Sequence, residues 1–383
     1  IQLRNTRNTF ARQHPLAVFA AICKVQGEFG AMIDEEFVER TALKKTLFVR
    51  EQYAFVGIDS QSVVIKKGRE MLARLPIHRI SGIILFGADT LSTRLLQRCS
   101  QEHIPVSFCS PAGYYVNTLK PDSRSFFHLL AEHTNRHAAL SETEQVEIAA
   151  EIVTAKIENY LIWLKGHRES EAQELLPKLE QTVIALSHCA GINEVLGYEG
   201  AAAKLLFRAV NALVQEEEGK GGSFFRAKTR ICHCRADPYN SLLDFASFLL
   251  FCKLNVLVRT RGLNPYLGIL HSHKDSYESL VADLQEMFRC RMDRMVLRML
   301  NLRIIQAEDF EEDAAHENRS GLRLNREASG RFIDYFEREL SLRLTGEPGT
   351  LKQLLVAQVS VIACWARDNQ RLIWYNARSY ERE

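Results

Sequence analysis

Val146-Glu-Ile-Ala-Ala-Glu-Ile-Val-Thr-Ala-Lys-Ile-Glu-Asn-Tyr-Leu-Ile-Trp163 is the stretch on which the fold turns. Its apolar residues Val146, Ile148, Ala149, Ile152, Val153, Ile157 and Leu161 recur at the period of one broad helical face. Upstream, from about Thr46 to Leu119, the period is that of short strands. Thr46–Val49, Ala54–Ile58, Ser62–Ile65 and Arg79–Phe86 are rich in Val, Ile and Phe and are separated by turn signals such as Gly57 and Gly68. Asp89 or Thr90 is placed to cap a short helix through Ser100. Strands at Ile104–Cys109 and Tyr114–Thr118 flank a turn at Pro111-Ala112-Gly113.

Downstream, helices are predicted at Glu171–His188, Glu194–Glu216, Tyr239–Arg261, Tyr277–Leu302, Arg326–Leu342 and Leu351–Arg371. Nothing in this half reads as a long strand. Glu216–Ser223, charged and glycine-rich, and Asp309–Asn318, acidic, read as loops. The fold class is therefore α+β. A small N-terminal β domain (44–122) precedes a larger helical domain (123–383), with residues 1–43 as an extension.

The bulk numbers set outer limits. Of 383 residues 46% are apolar, enough for a sizeable core. The 49 basic and 47 acidic residues leave a net charge of +2, so any nucleic-acid surface must come from segregated basic residues. Nine cysteines without framework spacing, and no secretory signal, predict a reduced, cytoplasmic protein. The apolar runs near Leu16–Cys23 and Phe245–Cys252 are too short for a bilayer, so no membrane association is expected. Walker loops and Gly-x-Ser-x-Gly elbows are absent. Cys232-His233-Cys234 is a zinc candidate only at first sight, because its ligands are too close together for one tetrahedral site.

Three places carry acid, base or metal chemistry. Gly197-Tyr198-Glu199-Gly200-Ala201-Ala202-Ala203 sets a carboxylate among small residues that permit close approach, although a solvated helix glutamate fits as well. In Gly262-Leu263-Asn264-Pro265-Tyr266-Leu267-Gly268-Ile269-Leu270-His271 the Asn-Pro pair ends a helix, and a histidine follows an apolar run as either ligand or structural residue. In Ser279–Arg289, Asp283 and Glu286 stand at i,i+3 on one helix face. Two such carboxylates call for a cation, which could be a metal or Arg289.

Together these segments resemble the signature of the CRISPR adaptation integrase family, the first of the CRISPR-associated proteins. Glu199–Ala203, Asp237–Leu243, Gly262–His271 and Ser279–Arg289 stand in the order of its four motifs. The resemblance runs from about Thr46 to Ala377. It takes in Leu75–Gly87, Ile104–Phe108, Gly113-Tyr114-Tyr115, Arg331-Phe332-Ile333 and Tyr335–Arg338. Cys290 stands where that family usually has proline, Lys204 where arginine is common, and His273 is a second histidine beside His271.

The resemblance implies a metal-dependent endonuclease and integrase that inserts short DNA fragments into a CRISPR array by transesterification. Glu199, His271 and Glu286 would be catalytic and hold Mn or Mg, with Asp283 as alternate or supporting ligand. It also implies a homodimer formed through the β domain, flanking a dimer of the small second CRISPR-associated protein. The expected DNA surface comprises Lys204, Arg208, Arg226, Lys228, Arg230, Arg235, Arg259, Arg261, Arg289 and Arg291, with Asp237 and Asn240 shaping the entrance to the site. Residues 1–43 lie outside the resemblance, and the chain opens on Ile1. They are expected to be either the tail of an upstream domain in a fused protein, a reverse transcriptase in some members of the family, or a family-specific extension that packs on the β domain. A non-catalytic nucleic-acid scaffold of the same fold, and a metal-dependent phosphoesterase acting on small substrates, are the rival readings. The scattered arginines favour a long polymer.

Overall fold

The computed structural model describes residues 41, 44–87, 89–110, 115–119, 124–215, 224–231, 237–271, 277–313 and 321–377. The expected extension over residues 1–43 lies outside these apart from Thr41, as do the 216–223 loop, the Pro111–Gly113 turn, Cys232-His233-Cys234, Arg235 and His273.

The β half contains two four-stranded sheets. The first, β1 (Lys45–Val49), β5 (Ile80–Phe86), β7 (Val106–Cys109) and β8 (Tyr115–Leu119), is parallel but for the antiparallel β7–β8 pair. The second runs β4 (Glu70–Pro76), β3 (Ser62–Lys67), β2 (Phe55–Asp59) and β6 (Thr90–Leu91). β5 is buried along its whole length because both of its faces are covered, which is why Ile80–Phe86 reads as a continuous apolar run. β4 is not among the predicted strands; it lies at a sheet edge, and none of its residues is fully buried. The short helix α1 (Thr93–Gln101) starts at Ser92, whose hydroxyl accepts from Leu95 N, two or three residues later than expected.

The helical half comprises α2 (Arg124–Ala138), α3 (Glu142–Lys165), α4 (Ser170–Leu186), α5 (Ile192–Ala212), α6 (Pro238–Arg261), α7 (Ser279–Glu286), α8 (Arg289–Asn301), α9 (Arg326–Leu340) and α10 (Leu351–Asp368). α3 opens on a full capping box in which Ser141 and Glu144 satisfy each other's backbone N–H groups. α6 opens on Asp237, which accepts from Asn240 N, with Pro238 at the first helical position.

Two expectations are corrected. Tyr277–Leu302 is two helices, because the Met287 carbonyl accepts from the Asn159 carboxamide at 3.0 Å instead of continuing the ladder. The acidic loop from Asp309 holds a strand, β9 (Phe310–Asp313), paired antiparallel with β10 (Gly321–Leu324). α2 is a further helix, not among those predicted.

α6 is the axis of the molecule. By length and composition it is apolar enough to cross a membrane, yet 72% of its most apolar window is buried inside the protein. It packs against α7, α8, α9 and α10 and against β10 and β5. Gly82 of β5 permits that docking, since a Cβ there would lie 2.8 Å from the Val256 methyls. Lys253 donates to Thr46 Oγ1 at 3.0 Å, and Asn255 to Tyr115 and Thr118, tying the same helix to the first sheet.

Candidate active site

Two helices and one loop carry the candidate residues. Glu199 lies on α5, Glu286 ends α7, and His271 ends the loop that leaves α6 at Gly262. The loop folds back hard onto α7. Gly268 N donates to Ser279 Oγ at 2.9 Å, and a Cβ at this glycine would stand 2.6 Å from the Ser279 carbonyl carbon, so a larger residue is excluded. From the other side α2 braces it: Asn264 N donates to His133 Nδ1 at 3.2 Å, and His137 Nε2 meets the Gly268 carbonyl at 2.9 Å.

Asp283 organises the end of this loop. Its two oxygens accept from the backbone N–H groups of Ile269, Leu270 and His271, at 2.5, 3.0 and 3.0 Å. Its Oδ1 also accepts from His271 Nδ1 at 2.7 Å. A carboxylate can accept about four hydrogen bonds, and Asp283 is 2% exposed, so its lone pairs are committed. It supports the histidine and does not stand as an alternate ligand. The His271 tautomer follows: Nδ1 carries the proton toward Asp283 and Nε2 is left for another partner. Burial opposes the charged imidazolium, but Asp283 and Glu286 outweigh it and raise the pKa above the ordinary value.

Glu286 is 2% exposed and bound by two cations. Arg289 Nε donates to its Oε1 at 2.7 Å, and the Lys156 ammonium lies 2.6 Å from Oε2. The same ammonium donates to Glu199 Oε1 at 2.6 Å. Burial would lift the Glu286 carboxyl, but Arg289 and Lys156 together bring it down to about 2. Lys156 is thus the charge partner of Oε2, and Arg289 that of Oε1. The phenol of Tyr277, 42% exposed, lies in the field of the same cluster. Its pKa is raised by burial, lowered by Arg289 and raised again by Glu286 and Asp283.

The expected DNA residues divide by exposure. Lys204, Arg208, Arg226 and Lys228 are exposed, although Arg226 also donates to the Ala212 and Val214 carbonyls at the end of α5. Gly197 and Gly200 have open space beside them on the exposed stripe of α5 that carries Lys204 and Arg208. Arg289 is one-third exposed and turned to Glu286. Arg230 is bound to Asp244 at 2.6 Å and to Asn240; Arg261 is half-buried.

Three others do not reach a phosphate here. Asn240 is fully buried, and its carboxamide serves Arg230, Ile231 N, Thr229 O and Asp237. It therefore ties the 229–231 segment to α6, and Asp237 is the cap of that helix. Arg259, 5% exposed, is held by Glu278, Asn255 and Tyr266. Arg291 is buried between Glu339 and Glu347.

Lys156 is a site residue that the sequence pattern did not single out. The signal was present in the opening helix: a lysine one turn after Ile152 and Val153, on the stripe that carries the core. Asn159, three residues on, is another. Its carboxamide donates to the Met287 and Tyr375 carbonyls and accepts from Ala377 N, linking α3, the α7–α8 break and the C-terminal segment.

Two carboxylates and one imidazole form an oxygen/nitrogen donor set suited to Mn or Mg. Glu286 Oε2, buried without a hydrogen bond, and the outward Nε2 of His271 are fitting donors. Here the two carboxylates converge on Lys156, and among the described residues no three His, Cys, Asp or Glu side chains converge on one ion position.

The sequence profile of the family described as CRISPR associated protein Cas1 matches residues 47–338. A CRISPR-associated endonuclease Cas1 of Thermus thermophilus is 29% identical over 324 residues, covering 82% of this chain and 92% of its own. In three dimensions the chain is similar to a chain of a Cas6-RT-Cas1–Cas2 complex, with a TM-score of 0.75 at 18% identity. That likeness covers 88% of this chain and 36% of the other, about a third of its length. A casposase bound to integration product is similar at a TM-score of 0.71 and 20% identity, covering 87% of this chain and 95% of the other.

Proposed function

The chain belongs to the Cas1 family of CRISPR-associated proteins, and on that premise we propose that it is a metal-dependent DNA endonuclease and integrase. In this reading it joins the 3′-hydroxyl of a short DNA fragment to a CRISPR repeat by transesterification, and hydrolyses the same bond when water is the nucleophile. The observation that carries the proposal is that Glu199 and Glu286 meet at one point, each 2.6 Å from the Lys156 ammonium, while His271, in the field of Glu286, is oriented by Asp283. The Thermus relative, an endonuclease by name, and the casposase with its integration product support the same reading.

Glu199, His271 and Glu286 would hold Mn or Mg. When bound, the ion would supply Lewis acidity at the phosphodiester and stabilise charge on its oxygens. The chain's own part is placement. Asp283 fixes the imidazole ring, Gly268 lets the loop sit against α7, and Arg289 with Lys156 favours the ionised form of Glu286. Lys204, Arg208, Arg226 and Lys228 offer an exposed basic path for DNA, giving affinity with little sequence choice.

As partners we propose DNA (protospacer and CRISPR repeat), a second copy of this chain through the β domain, and the small second CRISPR-associated protein. Association with a reverse transcriptase is in keeping with the Cas6-RT-Cas1–Cas2 neighbour. The deciding experiment is strand transfer of labelled DNA into a repeat-bearing plasmid with Mn or Mg. Wild type should yield covalent joints; no joint and no cleavage with either metal would refute the proposal.

A further inference from the structure

α3 turns one charged side chain into the core of the helical half, and it ends between two acids. Lys156 is 4% exposed. Its ammonium lies 2.6 Å from Glu199 Oε1 and 2.6 Å from Glu286 Oε2. These carboxylates come from α5 and α7, helices that reach the site from different parts of the chain. Two carboxylates this close repel unless a cation lies between them. Arg289 cannot fill that place alone, since it meets only Glu286, on the other oxygen.

We propose that Lys156 is a positioning residue that shares the Glu199–Glu286 pair with the divalent metal: its ammonium gathers the two carboxylates to one point, and the metal binds by taking those oxygens from it. The proposal rests on the reading that Glu199, His271 and Glu286 hold the ion. A lysine suits the task. It is a compact point charge on a flexible four-carbon stem, so it can swing aside without moving its helix. The backbone behind it is fixed, because Asn159, one turn on, is tied to the Met287 carbonyl next to Glu286. The distance between α3 and the end of α7 is thereby set independently of the ammonium. Glu286 Oε2 and Glu199 Oε1 are the two oxygens that the ammonium meets, each at 2.6 Å. The imidazole Nε2, not used by Asp283, would supply a further donor.

This arrangement predicts the sign of a binding change. Were Lys156 only a strut, removing its charge would let the carboxylates part and metal affinity would fall. As a competitor for the same oxygens, its removal makes metal binding tighter. The test is calorimetric titration of the full chain with MnCl₂, for wild type, Lys156→Met and Lys156→Gln. Both variants should bind Mn at least about tenfold more tightly than wild type, the equivalent of one charge-assisted hydrogen bond no longer broken on binding. Without Mn they should melt below wild type, and added Mn should raise their melting temperatures by more than it raises wild type's. That second readout applies to a variant that is only marginally folded. Lys156→Arg, which keeps the charge, should stay near wild-type affinity. Equal or weaker Mn binding by both neutral variants, with wild type binding normally, overturns the inference and leaves the metal site standing. If wild type binds no Mn, the metal reading itself fails and takes the inference with it.

Discussion

His271 Nδ1 stands 2.7 Å from Asp283 Oδ1, and the same carboxylate receives the backbone N–H of His271 itself. One acid therefore sets both the ring and the chain that carries it. Asp283→Ala should cost about 3 kcal/mol of stability, because three backbone donors, one buried and two half-buried, lose their acceptor together. Glu199→Ala, at a partly exposed position, should cost much less. Urea denaturation of the two variants checks the order; equal losses would return Asp283 to the rank of a simple ligand.

Glu199→Ala, His271→Ala and Glu286→Ala should each abolish strand transfer while the chain still unfolds cooperatively on heating. A plasmid integration assay beside a thermal melt separates the two effects. Near wild-type integration by Glu286→Ala would remove that residue from the site.

His133 gives the loop a pH limit. Burial holds its imidazole neutral and brings its pKa down to about 4, with His137 contributing, while its Nδ1 accepts from Asn264 N. A pKa lower in the folded chain than in the unfolded one means the unfolded chain takes the proton first. Stability from this group is thus intact above about pH 6.5 and declines as pH falls toward 4, by up to about 3 kcal/mol. His133→Gln should flatten that decline in denaturant midpoints measured between pH 7 and 4. An unchanged slope would show that another group governs it.

The basic path should respond to salt. Alanine at Lys204, Arg226 or Lys228 should weaken DNA binding and reduce the slope of log affinity against log salt by about 1 for each phosphate no longer neutralised. Asn240→Ala and Arg259→Ala should instead lose about 2 kcal/mol of folding stability or more, since each leaves buried partners unsatisfied. Fluorescence anisotropy over a salt series, beside a melt, distinguishes the groups. An unchanged salt slope in all three surface variants would place the DNA elsewhere.

Much of the fold was legible because periodicity is local. The change from alternating Val and Ile to the helical stripe of Val146–Trp163 marks where the β half ends, and β5 and α6 declare themselves as long apolar runs. What escaped was non-local. β4 is an exposed edge strand whose pairing with β3 alone makes it a strand. The division of Tyr277–Leu302 depends on Asn159, 128 residues before Met287.

The candidate site divides along the same line. Residue order and type alone pointed to the family, through the motifs that hold Glu199, His271 and Glu286. Their assignments were decided only in three dimensions. Asp283 and Glu286 stand at i,i+3 as if equivalent, yet one is spent on backbone N–H groups and the other on cations from α3 and α8. Asn240 and Arg259 look as available in the sequence as Lys204, but burial commits them to their neighbours. Lys156, a helix lysine like others when read in one dimension, ends between two carboxylates. The physical reason is that a side chain's hydrogen-bond and charge partners come from whichever segments packing brings beside it, and neither its type nor its spacing records which those are.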